Sequence, residues 1–195
     1  MENIFELAEQ NQQRAWEIIK DTKIISIWES IGAEINLVGS LKTGLMMKHR
    51  DIDFHLYTPT LDISKSFAAM AKLAENPRIT HIEYTNLIDT DEKCIEWHAW
   101  YTDERNESWQ IDIIHLLKGS FYDGYMENVC KRISDVLTPE MKQSILQLKY
   151  DTPEDEKVFG ILYYKAVIQD GIRNYEEFTE WRKKNLIDGV LHWIP

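Results

Sequence analysis

Asp51-Ile52-Asp53-Phe54-His55-Leu56-Tyr57 is the stretch on which the reading of this chain turns. Polar and apolar residues alternate along it, with tyrosine as an amphipathic last member, and a period of two marks a half-buried β-strand. Ile52, Phe54 and Leu56 are expected to face a core, leaving Asp51, Asp53, His55 and Tyr57 on the opposite face. Two carboxylates one residue apart therefore project from the same side of one strand. Like charges at that spacing repel and raise each other's pKa, and a divalent cation is the usual remedy. A hard cation such as Mg²⁺ takes oxygen ligands, keeps several waters and relies on a few carboxylates together with substrate phosphates.

Upstream, residues 34–38 read as a short buried strand that breaks at Gly39. Glycine permits a tight turn and close approach of backbone amides to an anion, and the Ser40 hydroxyl can donate to a phosphate oxygen. Lys42, in the following loop, is a further candidate phosphate ligand, the plainer reading being a solvated lysine. Downstream, Asp112 is a lone charge within Trp109-Gln110-Ile111-Asp112-Ile113-Ile114-His115. A buried isolated carboxylate is costly unless it is paired or bound to metal, so Asp112 is the candidate third acid, on a strand adjacent to Asp51 and Asp53. A structural salt bridge for Asp112, and a solvated strand face for Asp51 and Asp53, are the competing readings.

The rest of the chain frames these residues. Apolar residues at helical spacing predict helices over 3–20 and about 22–30, with Gly32 as a stop. Asp62 can cap a helix running to the Asn76-Pro77 break, and strand-like runs cover 79–87, 93–102 and 108–116. The polar loop 103–107 predicts an antiparallel hairpin between the last two. Beyond Gly119 only helices are expected: 122–137, one capped by Thr138 with Pro139 in its first turn, one opened by Thr152-Pro153-Glu154 and running to Asp170, and a last over 175–184. The expectation is an α+β fold, a mixed sheet flanked by helices over residues 1–118, followed by a helical region over 119–195. On the strand around Glu96, His98 and Trp100, the acid could attract a cation and the indole stack on a ring, lining an acceptor pocket. His55 and His115 read as satisfied sheet histidines, and Lys165 as a helix lysine that could otherwise meet a phosphate.

Composition narrows the partners. With 33 acidic and 22 basic side chains the formal charge is −11, which opposes a polyanionic partner and makes nucleic acid an unlikely substrate. No apolar run is long enough to span a membrane and the N-terminus does not resemble a signal peptide. Cys94 and Cys130 are too few for a disulfide framework and lack zinc spacing. A cytoplasmic setting is expected.

Val38-Gly39-Ser40 followed ten residues later by Asp51-Ile52-Asp53-Phe54 resembles the signature of the DNA polymerase β-like nucleotidyltransferase superfamily. The resemblance covers about residues 34–57, with Asp112 matching the late-strand acid. It implies Mg²⁺, one or two ions, and a nucleoside triphosphate donor, with ATP the expected one. It implies transfer of a nucleoside monophosphate to a hydroxyl, with Asp51 and Asp53 binding metal, Asp112 completing the site or acting as base, and Gly39-Ser40 holding the triphosphate. The short length, helical C-terminal part and acidic balance look most like the small nucleotidyltransferases that modify aminoglycoside or lincosamide antibiotics, so a small-molecule acceptor is expected. The alternative is a non-catalytic module of the same fold that binds nucleotide or protein, such as an antitoxin-type protein. Oligomeric state is not readable from the chain.

Overall fold

The computed structural model describes residues 3–185 and 193–195. In chain order the described residues form α1 (Ile4–Thr22), α2 (Ile24–Glu29), β1 (Glu34–Val38), α3 (Gly39–Thr43), β2 (Asp51–Thr58), α4 (Ile63–Ala74), β3 (Ile79–Asn86), β4 (Cys94–Thr102) and β5 (Ser108–Leu117). Helices α5 (Tyr125–Val136), α6 (Pro139–Asp151), α7 (Gly160–Ile168) and α8 (Tyr175–Lys184) follow. The fold is α+β, with one mixed five-stranded sheet in the order β1-β2-β5-β4-β3. All neighbours are antiparallel except β2 and β5, whose parallel pairing lies at the heart of the sheet.

Local chemistry sets two helix starts where the sequence reading placed them. Asp62 accepts the Lys65 amide at 3.1 Å and Thr138 the Met141 amide at 3.2 Å, each satisfying an orphan donor of the first turn. The loop 103–107 joins β4 to β5 as an antiparallel hairpin. Two expectations are corrected. Residues 34–38 form an edge strand whose side chains, except Val38, stay at least partly exposed, because only β2 flanks it. Thr152 does not open a helix. It closes α6, its hydroxyl donating to the Leu148 carbonyl at 2.8 Å and accepting from the Tyr163 hydroxyl at 2.8 Å. With its hydroxyl turned back onto α6 and α7 it accepts no amide of the described residues that follow, residues 153–159 run without helix or strand, and the next helix begins at Gly160.

One face of the sheet packs its Ile52, Phe54, Leu56, Trp97, Ala99, Ile111 and Ile113 with α1, α2 and α4 into the main core. A second cluster joins Leu45 to the apolar faces of α5, α6, α7 and α8. Ala8, Met47 and Leu146 link α1 to α6. Among the described residues no helix is long and apolar enough to cross a membrane. Cys94 and Cys130 are buried and unbridged.

Arg14 fastens α1 to the β4–β5 hairpin. Its guanidinium pairs with both Asp103 and Glu107 and lies 5.1 Å from the Trp109 ring centre. Asp103 also accepts the amides of Arg105 and Glu107 at 2.9 Å and the Trp109 indole N–H at 3.0 Å. Burial works against the ionised form, but the Glu107 amide, Arg14 and the other donors outweigh it and hold the carboxyl at about 2. Arg14→Ala is expected to cost about 1–3 kcal/mol near neutral pH, because Asp103 keeps its burial and loses its cation. A depressed carboxyl contributes stability above its unfolded value and loses it as pH falls through the folded value. Urea denaturation should therefore show the gap between variant and parent closing as pH falls below 3.8 towards about 2.

Candidate active site

Alternation along β2 turns Ile52, Phe54 and Leu56 into the core and Asp51, Asp53 and His55 to the other face, as the sequence predicts. The parallel register then sets Asp53 directly opposite Asp112 and Asp51 opposite Gln110. One strand further, His98 lies opposite Asp112, with Glu96 and Trp100 on the same face of β4. These residues floor a cleft of about 840 Å³, walled on the other side by α5, α6, α7 and the segment before α7.

Gly39 is where the chain turns from β1 into α3. Its φ is +69°, and a Cβ built there would stand 2.0 Å from Asp53 Oδ2. The glycine is required twice over, by the backbone conformation and by the approach of the carboxylate. The Gly39 amide lies close enough to lower the Cys130 thiol pKa and the Ser40 amide close enough to lower that of Asp53, each against a larger rise from burial. Gly39 and Ser40 both line the cleft.

Burial raises the Asp53 carboxyl well above the usual carboxylate range, and Asp51 and Asp112 add to the rise against the pull of Lys149 and the Ser40 amide. Asp51 is raised as well, by burial first, with Lys149 and His49 opposing. Three acids share a face on neighbouring strands, and the all-oxygen donor set suits a hard divalent cation. Among the described residues no group of three or more His, Cys, Asp or Glu side chains stands close enough together to hold a metal ion by itself, so substrate oxygens or water would have to complete any such site.

Lys149 went unnoticed as a site residue in the sequence. It is buried on α6, donating to the Leu45 carbonyl at 2.9 Å and the Tyr164 hydroxyl at 3.1 Å. Burial lowers its pKa to about 8, opposed by Asp51 and Asp53. Its signal was present: it follows Ile145 by four residues, on a helix face that is otherwise core. Lys42, by contrast, is exposed on α3 and lies outside the cleft lining, as does Lys165. Of the basic run 48–50, Lys48 donates to the Thr152 carbonyl at 2.8 Å and Arg50 pairs with Glu107.

The expectation of an isolated Asp112 is corrected. Its Oδ1 takes the His98 ring at 2.5 Å and the Gln110 amide at 2.7 Å. His115 is a core residue hydrogen-bonded to Thr58 at 2.7 Å and Ser66 at 3.2 Å, whereas the buried Nδ1 of His55 has no partner. Burial depresses both rings to about 4, keeping them neutral at physiological pH.

No family model matches the chain, and no curated protein matches it. Among solved structures it is similar to Cid1, described for its RNA terminal uridylyl transferase activity, at 12% identity and a TM-score of 0.49 over 82% of this chain and 52% of that one. It is similar to a cytoplasmic RNA terminal U-transferase at 12% identity and a TM-score of 0.49, over 82% and 53% of the two chains. A third likeness, to Cid1 poly(U) polymerase with MgGTP bound, has 13% identity and a TM-score of 0.48 over 80% and 54%. The chain spans about half the length of these structures.

The closeness of Gly39 to Asp53 can be separated from its backbone conformation. Gly32 also has a positive φ, +85°, but a Cβ there meets nothing within 4 Å. Gly32→Ala should cost only the left-handed penalty, about 1–2 kcal/mol. Gly39→Ala should cost clearly more in the same denaturation series, because the methyl also displaces Asp53.

Proposed function

We propose that the chain is a nucleotidyltransferase: an acceptor hydroxyl attacks the α-phosphorus of a nucleoside triphosphate in line, the new O–P bond forms, and the bond to the leaving pyrophosphate breaks. The observation that carries this reading is the β2–β5 register, which stands Asp53 opposite Asp112 with Asp51 on the same face of a large cleft. Bound Mg²⁺, held by Asp51, Asp53 and Asp112, would neutralise the triphosphate and the charge developing on the leaving group. The Ser40 hydroxyl donates to a phosphate oxygen. Lys149 spends two of its three protons on Leu45 and Tyr164 and offers the third to the triphosphate. In this reading Asp112 also accepts the proton of the attacking hydroxyl.

The acceptor we assign is a small molecule, of aminoglycoside or lincosamide type, and the nucleotide ATP. Support comes from the net charge of −11, which disfavours a polyanion, and from Glu96, His98 and Trp100 on the cleft floor. In this reading residues 1–118 are the catalytic domain, 119–195 the helical region that completes the cleft, and the setting is cytoplasmic.

The test is pyrophosphate release with Mg²⁺, a set of NTPs and a panel of hydroxylated acceptors. Asp53→Asn should lower turnover by about 10²–10³-fold or more while the far-ultraviolet spectrum is kept. Retained transfer in that variant, or Mg²⁺-dependent NTP binding with no pyrophosphate release against the panel, would sink the enzymatic reading; the second outcome favours a non-catalytic nucleotide-binding module. A raised carboxyl costs stability once pH exceeds its unfolded value. Metal-free Asp53→Asn should thus melt above the parent, by a margin that widens as pH rises from about 4.

Lys149→Met should raise the KM for NTP by about 10- to 100-fold, the worth of a hydrogen bond to a charged group. In the parent, NTP affinity should weaken as pH rises past about 8, where the ammonium discharges. Lys149→Arg should hold its affinity to higher pH, read by isothermal titration across that range.

A further inference from the structure

The two donors on Asp112 both end on one of its oxygens. His98 Nδ1 stands 2.5 Å from Oδ1 and Gln110 Nε2 stands 2.7 Å from the same atom, while no donor among the described residues is bonded to Oδ2. We propose that His98 and Gln110 are positioning residues that commit Asp112 to a single outward oxygen, Oδ2, and so set how tightly the site holds its divalent cation. The proposal rests on the reading of Asp112 as the third carboxylate of a nucleotidyltransferase.

Backbone pairing makes the arrangement. The β4–β5 ladder sets His98 opposite Asp112, and Gln110 precedes Asp112 by two residues on the same strand, hence on the same face. On the other flank stands Asp53, opposite Asp112 across the β2–β5 ladder. A free carboxylate between these neighbours would rotate away from Asp53 to relieve like-charge repulsion. Two donors on Oδ1 oppose that rotation. They occupy the lone pairs of one oxygen and leave those of the other to a ligand.

Glu96 Oε1 lies 3.3 Å from His98 Nε2, an ion pair when the ring is protonated, and the Trp100 ring is 6.2 Å from the imidazole centre to centre. An Asp112 fixed to one free oxygen binds as a monodentate ligand, which leaves octahedral positions for water and phosphate and suits Mg²⁺. Partners that orient metal ligands in this way are typically worth about 10–100-fold in metal affinity. A helix or strand residue kept only for packing would carry no such effect.

The experiment measures Mn²⁺ binding by electron paramagnetic resonance on the full chain, with a non-hydrolysable ATP analogue present and no acceptor. His98→Ala should weaken Mn²⁺ about 10- to 100-fold, and His98→Asn, whose amide can donate from near the Nδ1 position, should restore most of that loss. Gln110→Ala gives an independent arm and should weaken Mn²⁺ in the same direction, so the idea stays testable if a histidine variant fails to fold. Thermal melts check that affinity does not simply follow stability. Parent protein that binds Mn²⁺ while His98→Ala and Gln110→Ala bind within twofold of it would overturn the proposal and leave the nucleotidyltransferase reading standing. Equal loss in His98→Ala and His98→Asn would overturn it too, as a packing effect. Parent protein that binds no Mn²⁺ with nucleotide would overturn both.

Discussion

Mutual repulsion among Asp51, Asp53 and Asp112, enforced by the parallel pairing of β2 with β5, is the constraint around which the molecule is arranged. Left to itself, a chain would separate three acids in a low-dielectric cleft. Here the apolar half of each strand prevents it. Ile52 and Phe54 on one strand and Ile111 and Ile113 on the other are buried in the core beneath α1, α2 and α4. Because side chains alternate, locking that face inwards forces the acids outwards and together. The hydrophobic burial of one sheet face thus holds the electrostatic strain of the other.

Much of the surrounding structure answers that strain. Gly39 lets β1 end against Asp53. From the opposite wall α6 contributes Lys149, a buried cation whose charge is balanced by Asp51 and Asp53 and whose own hydration is replaced by Leu45 and Tyr164. His98 and Gln110 supply donors to Asp112 from within the sheet. These groups come from strands, a short helix and the C-terminal helices, so the cleft needs both hydrophobic clusters to be in place. The link through Ala8, Met47 and Leu146 is one of the contacts that joins them.

The limits of the sequence reading follow the range of the interactions involved. The capping roles of Asp62 and Thr138 were legible because a cap is satisfied within three residues. Thr152 carries the same local pattern, yet its hydroxyl is taken by Leu148 and by Tyr163, a partner that exists only once α7 has packed. Lys149 lies in the last turn of α6, and its spacing from Ile145 marks it as inward-facing. Lys42 was the more visible lysine beside the glycine turn and is not among the residues that line the cleft.

What the sequence determined by itself is the pairing of Asp51 with Asp53 on one strand face and the placing of a turn-forming glycine before them, since alternation and φ preference are properties of adjacent residues. It also marked Asp112 as a charge out of place in an apolar strand. Only the tertiary structure decided that β5 runs parallel beside β2 in a register that sets Asp112 against Asp53, that His98 arrives from β4 on its far side, and that the buried cation facing them is Lys149. Strand order and register are fixed by which apolar faces bury together across distant parts of the chain, and no local pattern carries that choice.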